Sequence, residues 1–207
     1  MIDRLINELD RGLKILSVKP TSHRPRPDLN ILEADSISTT NKKINAKYMR
    51  VNHTGEICAQ ALYRGQLFFN KNNEIKEELE KAADEEIDHL VWCDIRIQEL
   101  EGKTSKLNPI FYSGSFLLGA FTSFIDERYN LGFLAETEKQ VTKHLSNHLQ
   151  QIDKSDEKTI KIIETMRDDE EEHANSALKM GAKNLPPAIK KIMGYASKVM
   201  TKTTFYI

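Results

Sequence analysis

Cysteine is scarce in this sequence. Only Cys58 and Cys93 occur, and they form no CxxC motif. That excludes a zinc-ribbon or rubredoxin-type module and a disulfide framework. Free thiols in a reducing, cytoplasmic setting are expected, used as small core residues. No secretion signal is expected either, because Met1 to Leu16 mixes Asp, Arg, Glu and Lys among its apolar residues. A GxGxxG fingerprint is missing, which excludes a stable Rossmann site. Net charge is also missing: 30 Lys and Arg face 31 Asp and Glu, for a total of −1. A general nucleic-acid binder would need a strong basic excess. Two local absences say more than that total. Residues 107–125 carry no formal charge, and no Asp or Glu follows Glu172 although six lysines do. A basic end on a neutral chain suggests contact with an anionic surface.

What remains is a helix-rich composition on 207 residues, enough for one domain with a real core. Weak helical spacing covers residues 2–16. Residues 19–44 read as a linker, interrupted by Pro20, Pro25 and Pro27, and a compact domain starts near Asn45 and runs to 207. Six helices are predicted there, over about 46–70, 74–101, 108–125, 127–151, 155–180 and 186–204. Asn108 before Pro109 and Ser155 before an acidic turn are the expected N-caps, and Gly181 the expected C-cap. No stretch alternates like a strand. The expected fold is therefore all-α: a four-helix bundle with an additional apolar helix and an amphipathic C-terminal helix.

Four of these helices carry apolar stripes with helical period. They run through Met49, Ala59, Tyr63 and Leu67; Leu79, Ala83, Leu90, Cys93 and Ile97; Leu131, Leu134, Val141, Leu145 and Ile152; and Ile160, Ile163, Ala174 and Ala177. Six polar residues interrupt the stripes: Glu56, Glu86, His89, Glu138, Glu170 and His173. Burying a carboxylate without a partner costs several kcal/mol, and the stripes offer no Arg or Lys. Four together need positive charge among them, which two divalent metal ions would supply. In Glu86-x-x-His89 and Glu170-x-x-His173 both side chains project from one helix face. A lone Glu precedes each pair, by 30 residues for Glu56 and 32 for Glu138. Two hairpins, each giving one Glu and one Glu-x-x-His, match the ligand set of ferritin-like di-iron and di-manganese proteins. Carboxylate-rich, imidazole-poor ligation favours iron or manganese over zinc. The bland alternative is a set of solvated residues beside a core helix.

The neighbours divide. His144, six residues after Glu138, either orients a ligand or relays a proton from outside the ligand set, or is a surface histidine; His148 is expected to be exposed. His53 serves either the site or helix packing. Glu85, Glu171 and Glu172 read as a solvated face, and the spacing to His173 selects Glu170 from the run 170–172. The uncharged segment 107–125 reads as a helix on or dipping into a membrane, or as a tunnel wall for an apolar substrate, with a plain core helix as the alternative. In the last helix Ile189, Ile192, Met193, Ala196, Val199 and Met200 mark one side and lysines much of the other, which suits an anionic membrane interface. Both segments point to a lipid-like substrate.

The stretches Arg50-Val51-Asn52-His53-Thr54-Gly55-Glu56, Glu86-Ile87-Asp88-His89-Leu90, Glu136-Thr137-Glu138 and Asp169-Glu170-Glu171-Glu172-His173 resemble the demethoxyubiquinone hydroxylases of bacterial type. The resemblance covers roughly residues 45–207; the first 44 lie outside it and carry no assigned role. It implies a peripheral monooxygenase on the cytoplasmic face of the cell membrane. Such an enzyme adds one atom of dioxygen to the ring of a 2-polyprenyl-3-methyl-6-methoxy-benzoquinol in ubiquinone biosynthesis. It implies two iron ions held by Glu56, Glu86, His89, Glu138, Glu170 and His173, with Glu86 and Glu170 bridging. NADH is implied as electron source, by reducing the quinone, and other ubiquinone-biosynthesis proteins as partners. Two other readings stand beside it. One is another ferritin-like di-iron oxidase, such as a desaturase or a rubrerythrin-like peroxidase, though the rubrerythrin CxxC module is missing. The other is a non-enzymatic iron-binding protein.

Overall fold

A computed structural model describes residues 2–17, 20–34 and 37–207, without the side chains of Arg4 and Leu5. Met1 and, within the expected linker, Lys19, Asp35 and Ser36 lie outside the described residues, as does Val18. The described residues form helices α1 (Ile2–Ser17), α2 (Thr39–Phe69), α3 (Asn73–Glu99), α4 (Asn108–Ile125), α5 (Glu127–Gln151), α6 (Glu157–Lys179) and α7 (Pro187–Tyr206), with no strand among them.

Short polar side chains set the helix starts. Ser38 Oγ accepts the Asn41 N–H, so α2 begins several residues before the expected position. Asn72 and Asp126 cap α3 and α5 in the same way, each worth about 1 kcal/mol. Two N-caps differ from expectation. Asp156, not Ser155, caps α6; it accepts the Thr159 N–H at 3.0 Å and also the Arg96 guanidinium at 2.7 Å. Asn108 lies inside α4 rather than before it, because its amide is engaged by Thr54 and His53 of α2. At the end of α6 the cap is Met180, and Gly181 takes the left-handed conformation that follows it, with φ 92°.

The bundle is two antiparallel hairpins, α2–α3 and α5–α6, with α3 against α6 and α2 against α5. Its core divides into two apolar layers. One contains Met49, Trp92, Cys93, Ile97, Leu145, Ile163 and Met166. The other contains Tyr63, Leu79, Ala83, Leu131, Leu134 and Ala177. Along every bundle helix the six polar residues fall between the two layers, so they occupy a band across the middle.

The remaining elements wrap this bundle. Helix α4 crosses α2 at two glycines: a Cβ on Gly65 would stand 2.2 Å from the Phe116 carbonyl oxygen, and one on Gly119 2.2 Å from that of Leu62. Only one side of α4 is buried, so it is not a plain core helix. Helix α7 is held by Phe205 against Tyr48 and by Lys190 on Glu136 at 2.9 Å. Helix α1 is tied to α2 by Glu8 and Arg64 at 2.7 Å. Described residues of the expected linker do not hang free. Arg26 pairs with Asp28 and Glu99, and Glu33 accepts from the fully buried Arg96, so this stretch is strapped along α3.

Gly119→Ala should force α2 and α4 apart. Overpacking of this kind costs about 1–3 kcal/mol, and thermal unfolding followed by circular dichroism should show Tm lower by several degrees. Leu117→Ala, on the exposed side of the same helix, should leave Tm nearly unchanged. An unshifted Gly119→Ala would mean the two backbones are not in contact.

Candidate metal centre

The structure brings all six polar residues together. None is more than 7% exposed. Both histidines turn Nδ1 inward. His89 Nδ1 lies 3.1 Å from Glu86 and 3.4 Å from Glu170; His173 Nδ1 lies 3.3 Å from Glu86 and 3.4 Å from Glu170. In each glutamate one oxygen faces one histidine and the second oxygen the other, which is the orientation a bridging carboxylate needs. Glu56 stands 3.8 Å from His89 Nδ1, and ligand atoms of Glu56, Glu86, His89 and Glu170 all lie within 4.8 Å of one another. Glu138 sits beside Glu170 and His173, the opposite pole.

Outside this ring stands a second set, largely unforeseen. Tyr63, expected only as an apolar stripe residue, donates its hydroxyl to Glu138 at 2.7 Å. The outward Nε2 atoms cross between hairpins. His89 on α3 meets Asp169 on α6 at 2.9 Å, and His173 on α6 meets Glu85 on α3 at 2.7 Å. Glu85 is thus not part of a solvated face, although Glu171 and Glu172 are exposed. The signal was present: Glu85 and Asp169 each stand immediately before a Glu-x-x-His. Such contacts orient the imidazoles with Nδ1 toward the centre, the atom that would meet a metal.

Other expected neighbours lie elsewhere. His148 is buried, not exposed; its Nδ1 is 2.7 Å from Asn52 Oδ1, and burial, then His144, pushes its pKa down to about 2. His144 packs on His148 with ring centroids 3.9 Å apart and makes no hydrogen bond to Glu138. It is half-buried rather than a surface histidine. His53 faces Asn108 of α4, and burial lowers its pKa to about 4. Helix packing is its visible role.

Electrostatics follow from burial. Desolvation, then Glu86, pushes Glu56 well above the usual carboxylate range. Desolvation, then Glu170 and Glu86, does the same to Glu138. For Glu86 burial acts upward, but hydrogen bonds from His173 and His89 outweigh it and hold the group well below that range. Burial would lower both histidines, yet contacts with Asp169, Glu170 and Glu56 at His89, and with Glu170, Glu85 and Glu86 at His173, hold them well above theirs. Burial thus favours the protonated forms of Glu56 and Glu138, and a bound cation would displace those protons. The donor set fits a divalent cation: four carboxylates and two imidazoles converge, and the buried Glu138 Oε2 has no hydrogen-bond partner.

A four-helix bundle with a Glu and a Glu-x-x-His from each hairpin defines a protein of the ferritin-like carboxylate class. Within that class the chain belongs to the COQ7 family: residues 43–204 match the family described as ubiquinone biosynthesis protein COQ7. It is 47% identical to the 3-demethoxyubiquinol 3-hydroxylase of Legionella pneumophila, over 100% of this chain and 97% of that one. It is 48% identical to the protein of that name from Ectopseudomonas mendocina, over 100% and 96%. Against that of Chromobacterium violaceum it is 45% identical over both whole chains.

Metal uptake should release protons. Glu56, Glu138 and both imidazoles hold protons they must lose to act as ligands, so Fe(II) affinity should rise with pH and fall on acidification. The slope is about tenfold per pH unit for each proton displaced. Anaerobic titrations at several pH values, with proton release in weak buffer, measure it. A pH-independent affinity would count against these six as ligands.

Proposed function

We propose that this chain is a di-iron monooxygenase that hydroxylates the ring of a demethoxyubiquinol, a 2-polyprenyl-3-methyl-6-methoxy-benzoquinol, in ubiquinone biosynthesis. One observation carries the reading: two buried histidines joined through both oxygens of Glu86 and Glu170, in a chain nearly half identical to hydroxylases of that name. Glu56 and His89 would hold one iron, Glu138 and His173 the other, with Glu86 and Glu170 shared. When bound, the two irons supply the redox chemistry that transfers one oxygen atom of dioxygen to the ring. The protein's own contribution is placement. Tyr63 orients Glu138, Asp169 and Glu85 orient the imidazoles, and the two apolar layers keep water from the band. NADH is the proposed electron source, acting through the quinone.

Space for an apolar substrate lies beside the ligand helices. A cavity of about 330 Å³ is lined by Ile57 and Leu90, the residues following Glu56 and His89, together with Ile15 and Leu16 of α1. A second, of about 530 Å³, is lined by Gln60, Ala83 and Ile87. No helix among the described residues is long and apolar enough to cross a membrane. Two helices carry exposed apolar rows instead. On α4 these are Ile110 (68% exposed), Leu117 (68%), Phe121 (62%) and Phe124 (74%). On α7 they are Ile192 (67%), Tyr195 (68%) and Val199 (60%). Helical spacing puts each row on one face, and lysines flank the second. These rows support peripheral association with a membrane, where a polyprenyl quinol resides, and the cytoplasmic face of the cell membrane is the proposed side. Other ubiquinone-biosynthesis proteins are the proposed partners.

Anaerobic reconstitution should give two Fe(II) per chain and, with NADH and dioxygen, turnover of a demethoxyquinol. Glu138→Ala should lose that turnover while keeping its helical circular dichroism. Two irons without ring hydroxylation would redirect the reading to another di-iron oxidase. Separately, Leu117→Ser with Phe121→Ser should weaken co-sedimentation with vesicles containing phosphatidylglycerol. Undiminished binding would remove α4 from the membrane contact.

A further inference from the structure

The two poles of the centre are supported unequally. At the His173 pole, Glu85 is 27% exposed in its side chain, and its nearest cation is Lys81, 3.9 Å away and 63% exposed. At the His89 pole, a residue from outside the bundle completes the support. Arg24 lies on the strap before α2, 65 residues from His89 in sequence. Its Nη2 donates to Asp169 Oδ2 at 2.8 Å, the same oxygen that meets His89 Nε2, and also stands 3.3 Å from that Nε2. Its Nε donates to Asp88 Oδ2 at 3.0 Å, and its guanidinium carbon stands 4.9 Å over the Trp92 ring. Asp88 is in turn held by the Ser22 hydroxyl at 2.9 Å and the His23 N–H at 2.6 Å. One planar cation therefore joins α3 to α6 through two carboxylates and an aromatic face, a geometry that a lysine ammonium cannot reproduce.

Resting on the di-iron reading above, we propose that Arg24 is a positioning residue for the metal held by Glu56 and His89: it fixes Asp169 and thereby the His89 ring, making that pole the tighter of the two. The strap 20–34 is then part of the metal centre rather than a tether to it. Removing partners of ligating histidines typically costs 10–100-fold in metal affinity. Arg24 acts through one such partner, so a loss on the order of 10-fold is expected, confined to one of two ions.

The test is anaerobic Fe(II) titration of the metal-free full-length chain, with Mössbauer spectra of the loaded protein. Wild type should take two ions. Arg24→Gln should keep one ion at wild-type affinity, weaken the other about tenfold, and perturb one of two ferrous signals. Arg24→Lys should recover part of the loss, through Asp169 or Asp88 but not both. Should Arg24→Gln fold poorly, Asp169→Asn keeps the side-chain shape and should produce the same one-site loss, with nothing added by the double variant. Arg26→Gln, which loosens the strap at Asp28 and Glu99 but leaves Arg24 in place, should bind both ions as wild type does. Equal weakening by Arg26→Gln would show that strap attachment matters rather than Arg24, and would overturn the proposal. Two ions bound normally by Arg24→Gln would overturn it alone, with the di-iron reading intact. Fewer than two ions on wild type would overturn both.

Discussion

Four carboxylates buried within reach of one another are the constraint around which this molecule is arranged. Each would cost several kcal/mol to bury uncompensated. Every structural answer to that cost is visible. Two imidazoles point Nδ1 inward, Tyr63 donates to Glu138, and burial favours the protonated, neutral forms of Glu56 and Glu138. The apolar layers on either side serve the same end, because they prevent water from solving the problem more cheaply. The same arrangement brings the six side chains close to the places a pair of cations would need.

The two hairpins solve this problem as near copies. In each, an acid, a Glu and a His follow one another at fixed spacing on the second helix: Glu85-Glu86 with His89, and Asp169-Glu170 with His173. The acid supports the histidine of the opposite hairpin, not its own. That crossing ties α3 to α6 across the band and makes the fold and the site interdependent. The copies then diverge. Glu138 has Tyr63, whereas the pole of Glu56 has the Arg24 strap behind it. On the di-iron reading, near symmetry would set the coordination and the departures from it would make the two metal positions distinguishable.

Local pattern made much of this readable in advance. Helical period located the bundle helices and placed Glu56, Glu86, His89, Glu138, Glu170 and His173 on buried faces, because a polar residue on an apolar stripe is conspicuous. Caps were less secure. Asp156 displaced Ser155 through its tertiary contact with Arg96, which no local rule anticipates. Tyr63 was hidden by its own ring, since the stripe accounts for the aromatic body and not for the hydroxyl. His148 reads as solvated on its helix, but Asn52 and Tyr48 of α2 pack against it. Arg24 left no local trace at all. It sits among prolines in a stretch without periodicity, and its partners are 64 and 145 residues away.

Helix α4 links the chemistry to the surface. Its buried side reaches α2 through Gly119 and Gly65, backbone against backbone, and Gly65 is about two and a half turns from Glu56 along α2. Its other side presents Leu117, Phe121 and Phe124 outward. A helix is about 10 Å across with its side chains. On the membrane-surface reading, a single helix diameter then separates the acyl boundary from the helix that carries Glu56. A polyprenyl chain is far longer than that, so on the same reading the tail would remain among lipids while the ring entered beside Ile57 and Leu90. Close glycine packing is what keeps that distance short. A bulkier contact between α2 and α4 would move the apolar face away from the metal band, even with every ligand unchanged.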